Sequence, residues 1–351
     1  MKKTLALVLV LSGLALAGGV SLNGAGATFP YPLYAKYFSV YHKLTGVRVN
    51  YQSIGSGGGI RQLFAQTVHF GASDAPLSDE KIAEFEQKFG TQVIHVPTAL
   101  GAVVPSYNLP GVTQPLNFSG PVLADIFLGK IKKWNDPALA ELNPGVRLPA
   151  LPITVVHRSD GSGTTYIWTE YLAKVSPEWK ERVGAGKSVA WPTGLGGKGN
   201  EGVAGLVRQV PGAIGYTELV YAVQNKITYG AVKNRAGKFV LADLASVRAA
   251  AELEDFPADT RVSLTDTPAP DGYPIASFTW ILVYRDLDKD KAVKSRAEAE
   301  ALARLLDWII HDGQQYNEAL HYAALPEVAV KASEANLATL RYRGEPLLGA
   351  K

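Results

Sequence analysis

The sequence predicts an α/β chain organised as two domains. Three observations carry that expectation: strand-like and helix-like periodicities alternate along it, its 351 residues exceed what one hydrophobic core usually holds, and 47% of them are apolar. Apolar and polar residues take turns at Val47-Arg48-Val49-Asn50-Tyr51-Gln52, the pattern of a half-buried strand. Continuous apolar runs at Ile153-Thr154-Val155-Val156 and Thr279-Trp280-Ile281-Leu282-Val283-Tyr284 read as strands covered on both faces. Tyr34, Tyr37, Phe38 and Tyr41 recur at helical spacing and stop at Gly46; Leu302, Leu305, Leu306 and Ile309 do the same. Ser78 followed by Asp79 and Glu80 marks another helix start. No long Pro- or Ser-rich linker separates the domains, so the chain is expected to cross between them, with residues 99–108 and 274–284 as crossover strands.

Residues 1–17 open with Lys2 and Lys3, run through an apolar stretch from Thr4 to Leu14, and reach small residues at Ala15 and Ala17, the pattern of a cleaved secretory signal peptide. The apolar run is shorter than the roughly 18 residues a membrane anchor needs, and it ends in Gly18-Gly19. A location outside the cytoplasm is therefore expected. With no Cys, disulfides and a lipid-anchoring N-terminal cysteine are both excluded. Cleavage removes two lysines and no acid, taking the formal charge from +3 to +1; scattered charges of both signs argue against a nucleic-acid partner.

Function is most legible in a recurring unit: a short strand, a loop of Gly, Ser and Thr, then a helix start. Such a loop aims backbone N–H groups and the positive end of a helix dipole at one point, which suits an oxyanion. The loops are Gly24-Ala25-Gly26-Ala27-Thr28-Phe29, Ile54-Gly55-Ser56-Gly57-Gly58-Gly59 and Arg158-Ser159-Asp160-Gly161-Ser162-Gly163-Thr164. A fourth, Gly194 to Asn200, precedes a helical pattern from Glu201. Each alone reads mainly as a turn or helix cap; several in one chain favour a ligand. The third adds Arg158, whose planar fork grips oxyanions, and Asp160, near enough to hold that fork, although a surface salt bridge is the plainer reading. Asp74, just upstream of Ser78, reads at this level as a turn residue or a ligand group.

Nucleotide and catalytic readings fare worse. Gly186-Lys187-Ser188 ends like a phosphate loop, but the glycine required five positions earlier is Glu181, and Gly24 to Phe29 ends in Phe where a dinucleotide fingerprint needs Gly. The six histidines, at 42, 69, 95, 157, 311 and 321, have no metal-ligand spacing, and no nucleophile elbow is present. His157 beside Arg158 reads as structural. No enzyme is expected, and neither a cofactor nor a metal.

The residues resemble the periplasmic phosphate-binding proteins that feed ATP-driven (ABC) phosphate importers. The resemblance rests on GAGATF at Gly24–Phe29, NYQSIGSGGG at Asn50–Gly59, FGASDAPLSDEK at Phe70–Lys81 and DIFLGKIKKWND at Asp125–Asp136. RSDGSGT at Arg158–Thr164, GLGGKGNEG at Gly194–Gly202 and PGAIGY at Pro211–Tyr216 extend it over nearly the whole chain. It implies a type II two-lobed periplasmic-binding-protein fold, each lobe a mixed sheet flanked by helices, with residues 18–103 plus 278–351 as lobe I and 104–277 as lobe II. Phosphate would lie in the cleft, held by Thr28, Phe29, Ser56 and Asp74 from one side and Arg158, Ser162, Gly163 and Thr164 from the other, with Asp160 orienting Arg158. Phe29 and Gly163 would offer backbone N–H groups; Ser56, Ser162 and Thr164 would donate from hydroxyls. Asp74 would accept a proton that phosphate carries and sulfate lacks, rejecting sulfate. Gly57 departs from the family, which often has a second serine there. The implied partners are inorganic phosphate, with arsenate as a second candidate, and the importer's membrane subunits; the implied state is a monomer.

Overall fold

In the computed structural model, residues 19–253 and 255–349 are described; the proposed signal peptide lies outside them. Strand β1 (Ser21–Gly26) leads into helix α1 (Tyr31–Thr45), which returns through β2 (Arg48–Ser53) to α2 (Ser56–Phe64), and then β3 (Phe70–Ser73) leads to α3 (Asp79–Phe89). Helix α1 buries Tyr34, Tyr37, Phe38 and Tyr41 on one face and ends at Gly46. Ser78 caps α3 by accepting from the Lys81 N–H, and Asp79 and Glu80 occupy the positive first turn.

The long strand β4 (Val93–Tyr107), buried throughout, joins the two halves of the molecule. After it come β5 (Thr154–Arg158), α4 (Gly163–Val175), β6 (Leu195–Gly197), α5 (Gly199–Gln209), β7 (Ala213–Glu218) and α6 (Leu219–Gln224). The chain then returns through β8 (Ala276–Tyr284) to α7 (Arg296–Ile310). Among the described residues these strands form one nine-stranded sheet in the order β2-β1-β3-β8-β4-β7-β5-β6, with Thr228–Tyr229 pairing with β4 off this path.

The register explains how one sheet serves two lobes. Residues 93–102 of β4 pair antiparallel with β8, while Val103 to Tyr107 pair antiparallel with β7. The Val103 N–H donates to Ile275 O just where β8 begins, so both connecting segments cross side by side. Around this seam the strands are parallel, β1 with β2 and β3, and β5 with β6 and β7. Parallel strands joined by helices place the strand-to-helix loops at one end of each half-sheet, where α/β folds bind ligands. Trp134, Trp168, Trp179 and Trp280 are fully buried. With roughly 1.5–3 kcal/mol from each large apolar side chain buried, packing alone supports a chain that has no cysteine.

Candidate functional site

All four Gly-Ser-Thr loops meet at the seam between the half-sheets. The first, after β1, is pinned by tyrosines from three distant elements. Tyr51 of β2 donates its hydroxyl to Ala27 O, Tyr221 of α6 to Thr28 O, and Tyr322 to Phe29 O. In a trans peptide the N–H points opposite to the C=O. Fixing the Thr28 carbonyl therefore also fixes the direction of the Phe29 amide.

From the second and third strands come Ser56, the first residue of α2, and Asp74, immediately after β3; both are buried. The Asp74 carboxylate accepts from Thr279 Oγ1 of β8 at 2.7 Å and lies 3.5 Å from Ser56 Oγ. Burial pushes its pKa up from the ordinary 3.8 to about 7, against the lowering effects of Thr279, Arg158 and Ser56. Ser56 Oγ accepts two backbone bonds, from Asp74 N at 3.2 Å and Gly163 N at 3.1 Å, which fills both lone pairs and leaves only its proton to give.

Arg158 ends β5 with its side chain enclosed, and its guanidinium fork meets Asp160 in two bonds of 2.7 Å, Nε to Oδ1 and Nη2 to Oδ2. Asp160 Oδ1 also accepts from the Gly199 N–H at 3.2 Å. Burial raises the Asp160 carboxyl, but its bonds to Arg158 and Gly199 outweigh that and hold it below the usual range, so it is ionised. The Arg158 N–H donates to the Tyr216 hydroxyl at 3.0 Å, fixing the strand end that aims the fork. Ser162 caps α4, accepting from the Thr165 N–H at 2.9 Å, and Gly163 and Thr164 form that helix's first turn, all fully or nearly fully buried.

Contacts across the cleft are tight. The Gly57 N–H donates to Gly161 O at 2.9 Å, and a Cβ on Gly57 would lie 3.1 Å from Gly161 Cα. The departure at Gly57 thus coincides with a close glycine–glycine apposition. A Cβ on Gly163 would lie 2.5 Å from Asp74 Oδ2 and 2.6 Å from Ser56 Oγ, so only glycine permits this approach. Thr28 and Thr164, on opposite walls, are bridged by Asn200, which donates Nδ2 to Thr28 Oγ1 at 2.8 Å and to Thr164 Oγ1 at 3.0 Å.

The structure therefore brings together Thr28, Phe29, Ser56, Asp74, Arg158, Asp160, Ser162, Gly163 and Thr164. It adds Asn200, Thr279, Tyr216 and Tyr221, which sequence reasoning did not single out. Asn200 closed a flagged loop, so a signal existed for it. Thr279 lay inside an apolar run, Tyr216 closed the PGAIGY motif, and Tyr221 had no local signal. Electrostatically, Arg158 is matched by Asp160, while α1, α2, α4 and α5, none shorter than nine residues, begin at the site. Each brings on the order of half a positive charge. The result is a buried cluster lined by donors, with Asp74 as an acceptor among them.

The histidines lie in structural settings. Buried His95, held near-neutral by a pKa lowered to about 3, accepts from the Leu77 N–H. His157 stacks on Trp191 with ring centroids 4.7 Å apart. Among the described residues no helix is long and apolar enough to cross a membrane.

A family model described as a PBP superfamily domain matches residues 15–312. The chain is 46% identical over 342 residues to the phosphate-binding protein PstS of Pasteurella multocida, covering 96% of each. It is 46% identical over 329 residues to PstS of Haemophilus influenzae, covering 93% of this chain and 95% of that one. A solved phosphate-bound high-affinity periplasmic phosphate-binding protein, PfluDING, superposes with a TM-score of 0.71 at 21% identity, covering 94% of this chain and all of the other. The last likeness concerns fold alone; family-model coverage and near-full-length identity establish that the chain belongs to the PstS family of phosphate-binding proteins within the PBP superfamily.

Proposed function

We propose that the chain, once exported to the periplasm, captures inorganic phosphate between two lobes, residues 18–103 plus 278–351 and residues 104–277. It then delivers the anion to the membrane subunits of an ABC importer. The observation that carries this reading is Asp74, a buried carboxylate set among donors. A carboxylate repels an anion unless that anion has a proton to give. Phosphate near neutral pH retains one or two, so it can satisfy Asp74 while its other oxygens accept from the surrounding groups.

In this reading Phe29 and Gly163 give backbone N–H groups, Thr28, Ser56, Ser162 and Thr164 give hydroxyl protons, and Arg158 gives its guanidinium. Asp160 keeps that guanidinium oriented. Closure removes water and strengthens each bond in the low-dielectric enclosure. The family relatives are named as binding proteins, which supports capture without turnover. Calorimetric titration should give saturable one-to-one phosphate binding, and a chromogenic phosphate ester should show no turnover. Ester turnover that co-purifies with the protein would overturn the binding-only reading. Sulfate bound as tightly as phosphate would overturn the role of Asp74.

A further inference from the structure

Asn200, the second residue of α5, is 1% exposed and has every polar group of its side chain engaged. Its Oδ1 accepts from the Glu218 backbone N–H at 2.8 Å. A backbone amide can only donate, so this bond alone decides which end of the carboxamide is oxygen. Nδ2 must then face Thr28 Oγ1 and Thr164 Oγ1, and both hydroxyls must accept from it. Thr28 Oγ1 accepts a second bond from the Asn200 backbone N–H at 3.1 Å. A hydroxyl has two acceptor lone pairs and one proton. With both lone pairs of Thr28 filled, its proton is all that it can offer the cleft, and one lone pair of Thr164 is filled in the same way.

We propose that Asn200 is a positioning residue that sets the hydrogen-bond polarity of the cleft, filling both acceptor sites of Thr28 and one of Thr164 from behind so that the hydroxyls turn their protons to the bound anion. The inference rests on the phosphate-binding reading above and deepens it. Asn200 does not touch the anion in this scheme; it decides what the residues that do touch it can say. The same side chain spans the cleft, because Thr28 precedes α1 while Thr164 starts α4, and its anchor Glu218 lies opposite Val103 on the strand shared by both halves. Closing the lobes and orienting the donors are therefore one event.

Asn200→Asp is nearly isosteric but cannot donate when ionised, so Thr28 and Thr164 would turn their protons toward it and present lone pairs to phosphate. Calorimetry at pH 8 should show phosphate affinity falling about 100-fold, the scale of two lost bonds to a charged acceptor. In a Thr28→Val, Thr164→Val background the same substitution should change affinity by less than about threefold, because the hydroxyls it acts through are gone. A merely structural Asn200 would give losses that add in full and track the thermal midpoint of the ligand-free protein. Additivity, or an Asn200→Asp affinity within about threefold of wild type, would overturn the proposal. If Asn200→Asp fails to fold, Asn200→Ala carries the same cycle, with an expected loss of about tenfold. Failure of the wild type to bind phosphate would instead overturn the functional reading on which the proposal rests.

Discussion

Asp74→Asn keeps the shape of the side chain and removes its charge. Thr279 Oγ1 donates to Asp74 Oδ1 at 2.7 Å, and as a hydroxyl it can rotate to accept instead. In either orientation the amide puts an NH2 group where one carboxylate oxygen stood, beside Thr279 Oγ1 at the Oδ1 position or at the Oδ2 position, 3.5 Å from Ser56 Oγ and 2.5 Å from the point a Gly163 Cβ would occupy. An acceptor becomes a donor at the centre of the cleft. For sulfate, the wild-type carboxylate is an unsatisfied buried acceptor costing on the order of 1–3 kcal/mol, more because it is charged. Removing that cost should tighten sulfate by about 10- to 100-fold. Phosphate loses the group that takes its proton and should weaken by about tenfold. Paired calorimetric titrations at pH 8 and fixed ionic strength would then show the phosphate-to-sulfate preference falling by at least about 100-fold. An unchanged ratio would refute the argument that Asp74 selects for a protonated anion.

Four further outcomes follow from the same geometry. The ligand-free native state holds the Asp74 proton up to about pH 7, whereas the unfolded chain releases it near the ordinary 3.8, so this stabilisation is complete below about pH 4 and is lost as pH rises to 7. Ligand-free Asp74→Asn should consequently unfold at a higher temperature than wild type at pH 8, by at most about 4 kcal/mol in stability, and the gap should narrow at pH 5; a gap independent of pH would contradict this. Protonated Asp74 can also donate, so sulfate should begin to compete with phosphate as pH falls below 7, measured by competition dialysis across pH 5 to 8. Gly163→Ala places a methyl group 2.5 Å from Asp74 Oδ2, and should cost phosphate affinity at least about 100-fold while small-angle scattering in saturating phosphate keeps the dimensions of the ligand-free protein. Arg158→Lys preserves charge but loses the two-bond fit to Asp160, and should weaken phosphate by about tenfold or more in the same titration.

Much of the fold was legible because it is written in local patterns. The tyrosine spacing of α1, the Ser78 cap and the apolar run of β8 each follow from short-range chemistry, and the structure places a helix or strand at each. The two crossover segments were also foreseen in outline, although β4 begins earlier than expected, at Val93, because its first ten residues pair with β8 before it passes to the second half-sheet. The fourth loop's helix begins at Gly199, two residues before the apolar–polar pattern shows, since a first turn carries no periodicity of its own. Four glycine loops signalled an anion, but nothing local said that they meet. Asn200 acquires its meaning only through Thr28, 172 positions away, and Glu218; Thr279 reads as core until Asp74 is set beside it. The tyrosines that pin Ala27, Thr28 and Phe29 come from three elements that only the folded sheet assembles.

The central claim is that a donor-lined cleft with Asp74 as its acceptor binds phosphate and refuses sulfate. Equilibrium dialysis of the wild-type protein against labelled phosphate, competed by unlabelled sulfate at pH 8, tests it most directly. The account predicts saturable binding of one phosphate, about nine-tenths of which a tenfold excess of sulfate leaves in place, given the roughly 100-fold discrimination a buried charged acceptor supplies. Displacement by equimolar sulfate, or no retained phosphate, would contradict it.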